Sequence, residues 1–309
     1  MTLDPAYLTY DRRHAGMDHN FYPSSALTDR APLAWPGTKR VAVALFVSLE
    51  WFPILPADVP FRAPGHMQTA YPDYRHYTAR DYGTRVGFYR LLDAFAAVGA
   101  RATIAVNAAI AERYPSIIAD IAAAGHEIVA HSTDMNGTIA TGLAETDERA
   151  LIMTSLDTLE RVSGTRPKGW HSIARSQSWN TPRLLVEAGV EYMCDWVNDE
   201  LPYVFATEAG SIVNVPINHE LADRQIVTVQ QHSAESYAEQ IRDAYALLDS
   251  EVDTHGGRML PLHLTPYVMG LPYRIGAFEA LLAWLAKQSG TWFASTGEIA
   301  SFARTLHAA

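Results

Sequence analysis

The chain has 309 residues, 48% hydrophobic and 19% charged, the composition of an ordinary globular protein with enough length for a large core. A formal net charge of −10 with no Lys/Arg run argues against nucleic acid, because phosphate backbones are held by clustered cations. The single cysteine, Cys194, excludes an internal disulfide and a multi-cysteine zinc site, and its apolar setting "VEYMCDW" reads as a buried small hydrophobe.

The chain opens on "MTLDPAYLTYDRRHAG", with neither a basic nor an apolar leader segment, and no later stretch approaches the roughly 18 apolar residues that span a bilayer. A cytoplasmic protein without a membrane partner is expected. Residues 1–40 and 51–80, rich in Pro, Tyr and His, read as ordered loops that cover a pocket or contact another subunit. Residues 1–40 are thus an N-terminal extension, and 41–309 a single domain.

From residue 41, apolar runs of strand length alternate with amphipathic helical patterns. Strands are expected at 41–50, 101–107, 126–132, 167–172, 190–196, 212–217, 258–264 and 291–295. Apolar on both faces, the best of these suit a buried parallel sheet. Between them, "VGFYRLLDAFAAVGA" places Phe88, Leu91, Leu92, Phe95 and Val98 on one helical face, and "YAEQIRDAYALLDSEV" is a second such helix. Thr181 before Pro182 reads as a helix start, "STGE" at Ser295–Glu298 as a capping box, and "AVGA", "AAAG" and "VEAG" as glycine-marked helix ends. About eight strands linked by right-handed crossovers predict an α/β fold, a closed or nearly closed barrel rather than a dinucleotide-binding sheet, since no Gly-x-Gly-x-x-Gly follows the first strand.

The carboxyl ends of barrel strands line an active site. Here they carry Glu50, His131, Trp170-His171, Asp195, then His219, Glu220 and Asp223, then His263 and Thr265. A lone histidine at a strand end is more often structural than catalytic. Five or six titratable groups on one rim point instead to a polar catalytic pocket, because burying each unpaired costs several kcal/mol.

The segments "DYGTRVGFYRLLDAF", "EIVAHS", "RPKGW", "NTPRLLVEAGVEYMCDWVNDELPY", "HLTPYVMGLPYRI" and "WFASTGEI" together resemble the polysaccharide deacetylase superfamily (carbohydrate esterase family 4, NodB-like) over roughly residues 38–305. The similarity is strongest to its cytoplasmic branch of cofactor-independent allantoinases and cyclic imide hydrolases. It implies a distorted (β/α) barrel of seven to eight mostly parallel strands, hydrolysis of a carbon–nitrogen bond other than a peptide bond, and, as in relatives of this branch, a homo-oligomer.

Metal-dependent members place two adjacent aspartates after the first strand and His-Ser-x-x-His after the third. Here Leu49-Glu50-Trp51 offers one carboxylate, and His131-Ser132 is followed by Met135, a poor ligand for hard or borderline cations. Two outcomes stay open. Glu50 and His131 hold one divalent ion, zinc, with Asp134 or His171 recruited; or the site holds none and Glu50 with histidines activates water unaided. The second is favoured.

In that reading Glu50 is the general base, its pKa raised by an apolar pocket. His131 orients substrate, and His263 is the general acid, although the resemblance puts Thr265 at the usual histidine position. Arg175 meets an anionic or ureido group of the substrate, and Trp170, His171 and Trp179 supply walls. Glu220 and Asp223 pair with Arg175 or a loop. The expected activity is hydrolysis of an amide, cyclic imide or ureide in a small molecule. A metal-dependent deacetylase of a small acetylated sugar or metabolite, and a non-catalytic ligand-binding relative, are the alternatives.

Overall fold

A computed structural model describes residues 18–55, 72–140 and 142–307. The strands are β1 (Val41–Leu49), β2 (Ala102–Val106), β3 (Glu127–Ala130), β4 (Gly169–Trp170), β5 (Tyr192–Met193), β6 (Tyr203–Thr207), β7 (Gly210–Asn214), β8 (Arg258–Leu264) and β9 (Thr291–Phe293). The helices are α1 (Tyr74–Tyr82), α2 (Phe88–Ala97), α3 (Ala108–Arg113), α4 (Pro115–Ala123), α5 (Glu145–Ser163), α6 (Thr181–Glu187), α7 (Ala234–His255), α8 (Pro266–Met269), α9 (Ile275–Ala286) and α10 (Thr296–His307).

The strands run β6-β7-β5-β4-β3-β2-β1-β8, with β9 joining β1 beside its first residues. All described pairings are parallel except β6–β7. The sheet curls into a half-barrel, and among the described residues the edge strands β6 and β8 do not pair. Pro261, which has no N–H to give to a ladder, lies on edge strand β8 opposite Ala44. No described helix is long and apolar enough to cross a membrane.

The expected strands all form, several of them shorter than expected, and β6 is an addition. It turns back on β7 as a hairpin closed at Gly210, where φ is 133°, and with only Phe205 buried it makes a weak apolar signal. Helix α1 also departs from expectation, lying within the loop read at 51–80; the side chain of Asp73 caps it by accepting the His76 N–H at 3.0 Å. The capping box forms as read, with Ser295 N–H donating to Glu298 Oε2 at 2.8 Å and Glu298 N–H to Ser295 Oγ at 3.3 Å. Thr181 is instead inside α6; its hydroxyl donates to buried Glu148.

β1 is buried along its whole length between two apolar layers. Part of the N-terminal extension packs on this same barrel. Phe21 is buried and its carbonyl accepts the Ala206 N–H of β6 at 2.7 Å, while buried Trp35 donates Nε1–H to the Arg258 carbonyl at 2.9 Å. Residues 1–17 lie outside the described residues.

Candidate active site

Strand alternation sets the site. Phe46, Ser48 and Glu50 are spaced by two along β1 and its exit, and their partners converge. Phe46 meets the rings of His171 and His263 edge-on, Ser48 Oγ lies 2.7 Å from His263 Nε2, and Glu50 accepts two bonds from Arg224. His131 follows β3 and stacks on His171, which follows β4, with ring centres 5.0 Å apart. Asn107, after β2, ties two of these ends together. Its Nδ2 donates to the His131 carbonyl and its Oδ1 accepts the Trp51 N–H at 2.7 Å.

The hydrogen bonds fix the tautomers. His131 Nδ1 lies 2.7 Å from the His171 carbonyl, which can only accept, so Nδ1 carries the proton and Nε2 is bare. That Nε2 is buried and has no hydrogen-bond partner among the described residues. Burial, with His171 alongside, pushes the His131 pKa down to about 4, against the opposing pull of Glu50, so the ring is neutral at pH 7. His263 is held the opposite way. Arg175 Nη2, an obligate donor, sits 3.1 Å from its Nδ1, so the proton is on Nε2 and is given to Ser48. Burial and the facing cations hold the His263 pKa well below the usual imidazole range. His171 gives Nδ1–H to the Cys194 carbonyl and Asp195, each at 3.2 Å, while Asp195 also accepts from Ser172 and Gln177.

Glu50 departs from the expected raised pKa. Burial does oppose its charge, but Arg224 Nη2 lies 2.7 and 2.6 Å from its two oxygens and the Tyr267 hydroxyl donates to Oε2 at 2.8 Å, so the net shift is downward. Glu50 is an ionised carboxylate in a salt bridge, and its oxygens are largely engaged. Tyr267, on α8, is seated by a close crossing in which a Cβ at Gly87 would lie 2.2 Å from the Pro266 carbonyl oxygen and one at Gly83 would lie 3.1 Å from the Tyr267 nitrogen. The glycines of "DYGTRVGFY" are therefore what let α8 approach.

Backbone strain gathers here too. Ser132, directly after His131, has φ 61°, and Ala174 and Arg175 have φ 53° and 56°, a conformation costly for residues with a Cβ and often found at functional sites.

The structure brings together Glu50, His131, His171, His263 and Arg175, but not the two tryptophans. Trp170 is wholly buried in the main core and donates Nε1–H to Ser172 Oγ at 2.8 Å, so it supports the site from behind instead of lining it. Trp179 lies on a surface cleft with Phe21 and Arg183. Thr265 is occupied elsewhere, its N–H donating to buried Asp223 at 2.7 Å, which leaves His263 as the strand-end group in the site. Arg175 pairs with neither Asp223 nor Glu220; Nε and Nη2 donate to the Ile217 carbonyl at 3.1 and 2.9 Å. Burial lowers its pKa to about 10.

Sequence reasoning missed Ser48, Arg224 and Tyr267. Ser48 was findable, two residues before Glu50 on the same strand face. Arg224 begins a π-helical segment, Arg224–Val229, outside any periodic pattern, and had no local signal.

The polysaccharide deacetylase family profile matches residues 76–193. A protein of Schizosaccharomyces pombe named "putative polysaccharide deacetylase" is 23% identical over 71% of this chain and 73% of its own. The crystal structure of Puue allantoinase superposes with a TM-score of 0.83 at 26% identity, covering 93% of this chain and 98% of that one. That of a "probable polysaccharide deacetylase" from Pseudomonas aeruginosa PAO1 gives 0.82 at 26% identity, covering 93% and 99%.

Residues 76–193 thus form a polysaccharide deacetylase domain, and the chain as a whole is similar to proteins of that superfamily. Its fold is the family's (β/α) half-barrel, and family members are hydrolases acting on carbon–nitrogen bonds. The divalent ion of metal-dependent deacetylases does not fit the side chains present. Met135 stands at the second-histidine position, buried in an apolar cluster with Phe52 and Ile173. Asp134 Oδ1 is taken by the Asn136 N–H at 2.8 Å, and a guanidinium already neutralises Glu50. Among the described residues no three His, Cys, Asp or Glu side chains gather as a metal site.

Proposed function

We propose that the protein hydrolyses a non-peptide carbon–nitrogen bond, in an amide, cyclic imide or ureide of a small molecule, without a divalent ion. The observation that carries this reading is His131 Nε2, a bare, buried acceptor with no partner, on a neutral ring within the electrostatic reach of ionised Glu50. A buried acceptor left unmatched costs about 1–3 kcal/mol, so a water or substrate proton is its natural complement.

In this mechanism a water held at Nε2 attacks the carbonyl carbon while its proton passes to His131. The resulting imidazolium is stabilised by the Glu50 carboxylate, which Arg224 and Tyr267 keep ionised and fixed. His131 then gives the proton to the leaving nitrogen as the C–N bond breaks. Because His263 Nε2–H fills one lone pair of Ser48 Oγ, the serine hydroxyl proton is left to donate toward the developing oxyanion, and the adjacent Arg175 charge favours the same negative charge. This moves the general-base role from Glu50 to His131 and makes His263 a fixed donor instead of the acid. His171 is a supporting ring.

The similarity to an allantoinase supports a ureide or imide as the substrate type. The test is turnover across hydantoins, cyclic imides, ureides and acetylated sugars by protein treated with chelator. Hydrolysis of at least one of the first three, abolished in His131→Ala, supports the reading. Turnover of acetylated sugars alone, only after zinc is added, overturns it. Tight binding without turnover of any compound, in parent and variant alike, indicates a ligand-binding relative.

A further inference from the structure

We propose that the substrate carries a carboxylate, or a planar anion of that size, and that Arg80 on α1 receives it in the narrow crevice beside Glu50; this rests on the reading of the same site as a hydrolase. Of the guanidiniums near the catalytic groups, two are committed to them. Arg224 is bound to Glu50 and Tyr267, and Arg175 to the Ile217 carbonyl and His263. Arg80 is different. Its Cζ stands 3.8 Å over the Phe52 ring, its Nε is buried with no hydrogen-bond partner, and no carboxylate forms an ion pair with it among the described residues.

The crevice is lined by Glu50, Trp51, Phe52, Tyr77, Arg80 and Asp81, together with Thr84, and encloses room for about one water-sized atom, such as one oxygen of a carboxylate entering from its open side. The two acids on this wall are already answered. Glu50 is bound by Arg224 at 2.6 Å, and Asp81 faces Arg85 at 3.5 Å. A planar guanidinium backed by an aromatic ring presents its edge as a fork that matches a carboxylate with two parallel N–H donors. Arg80 is also close enough to act electrostatically on the Tyr267 hydroxyl, which bonds Glu50. An anion on Arg80 thus lies near the groups that hold the catalytic carboxylate, so the scissile bond and the acid belong to one small molecule, an N-acyl or N-carbamoyl amino acid being the simplest form.

The experiment is calorimetric binding of N-carbamoylglycine and of its uncharged primary amide to the full-length parent, Arg80→Gln and Arg80→Lys, with turnover of both measured alongside. The parent is expected to prefer the acid by at least tenfold, Arg80→Gln to lose that preference while keeping its affinity for the amide, and Arg80→Lys to restore part of it. Equal binding of acid and amide by the parent, or an unchanged preference in Arg80→Gln, overturns the proposal. If Arg80→Gln unfolds, the preference of the parent at low against high salt decides it, since an ionic contact weakens and an apolar one does not. Acid binding that depends on Arg80, in a protein that hydrolyses none of the hydantoins, cyclic imides and ureides, leaves this site standing and sinks the hydrolase reading. Hydrolysis of neutral amides with no preference for the acid does the reverse.

Discussion

Arg224 Nη2 donates to both carboxylate oxygens of Glu50, at 2.7 and 2.6 Å, from a point 174 residues away in the chain. The pair is nearly sealed from solvent, with side-chain exposures of 17% and 3%. Removing one member strands the other charge, so Glu50→Gln is expected to destabilise by about 3–5 kcal/mol. The double variant Glu50→Gln/Arg224→Gln should cost less than the two single changes summed. Chemical denaturation of all four proteins measures this, and additive losses would mean the pair is not coupled.

His131→Ala should lower kcat by about 10²–10⁴ with little change in KM, because the lost group acts on the proton and not on ground-state binding. The kcat/KM of the parent should stay level from neutral pH down to the region of the His131 pKa, about 4, where the ring gains its proton. An acid limb centred near the ordinary imidazole value would contradict this.

Stability should fall in acid by the same linkage. The His131 pKa drops from an ordinary value of about 6.5 to about 4 in the folded chain, so the unfolded chain binds more protons in between and stability is lost as pH falls from 6.5 toward 4. The contribution is about 3 kcal/mol at most. Asp223 acts with the opposite sign. Burial raises it to about 7, so its share of stability is present in acid and is lost as pH rises from about 4 toward 7. Asp223→Asn should therefore gain on the parent between pH 4 and 8, by up to about 4 kcal/mol. Parallel thermal-melt curves for the two across that range would contradict it.

Chelation and back-addition of zinc should leave activity unchanged. Met135→His should not create zinc-dependent activity, because it places a polar ring in the cluster of Phe52, Ile173 and Tyr267, at a cost of about 1–3 kcal/mol when unpaired. Zinc-stimulated turnover in that variant would contradict the misfit of the donor set.

Much of this was legible in the chain. β1, β2 and β8 are long buried runs, and period-two spacing carries Phe46, Ser48 and Glu50 to one face. His131 and His171 follow because each stands where a strand runs out. The partners of Glu50 were not legible. Arg224 and Tyr267 come from the other end of the chain, and their chemistry follows from where the π-helical segment and α8 fold back. For the same reason a rule that holds for a carboxyl in an apolar pocket misjudged the direction of the Glu50 shift. Trp170 failed differently, since a strand end shows that a side chain is near the rim but not which face of the strand it takes.

The central claim is that His131 is a neutral ring with Nε2 bare. Nitrogen-15 NMR of histidine-labelled protein, assigned with His131→Ala, tests it directly. The predicted result at pH 7 is the Nδ1–H tautomer, persisting to about pH 5; an imidazolium, or a proton resting on Nε2, would contradict the account.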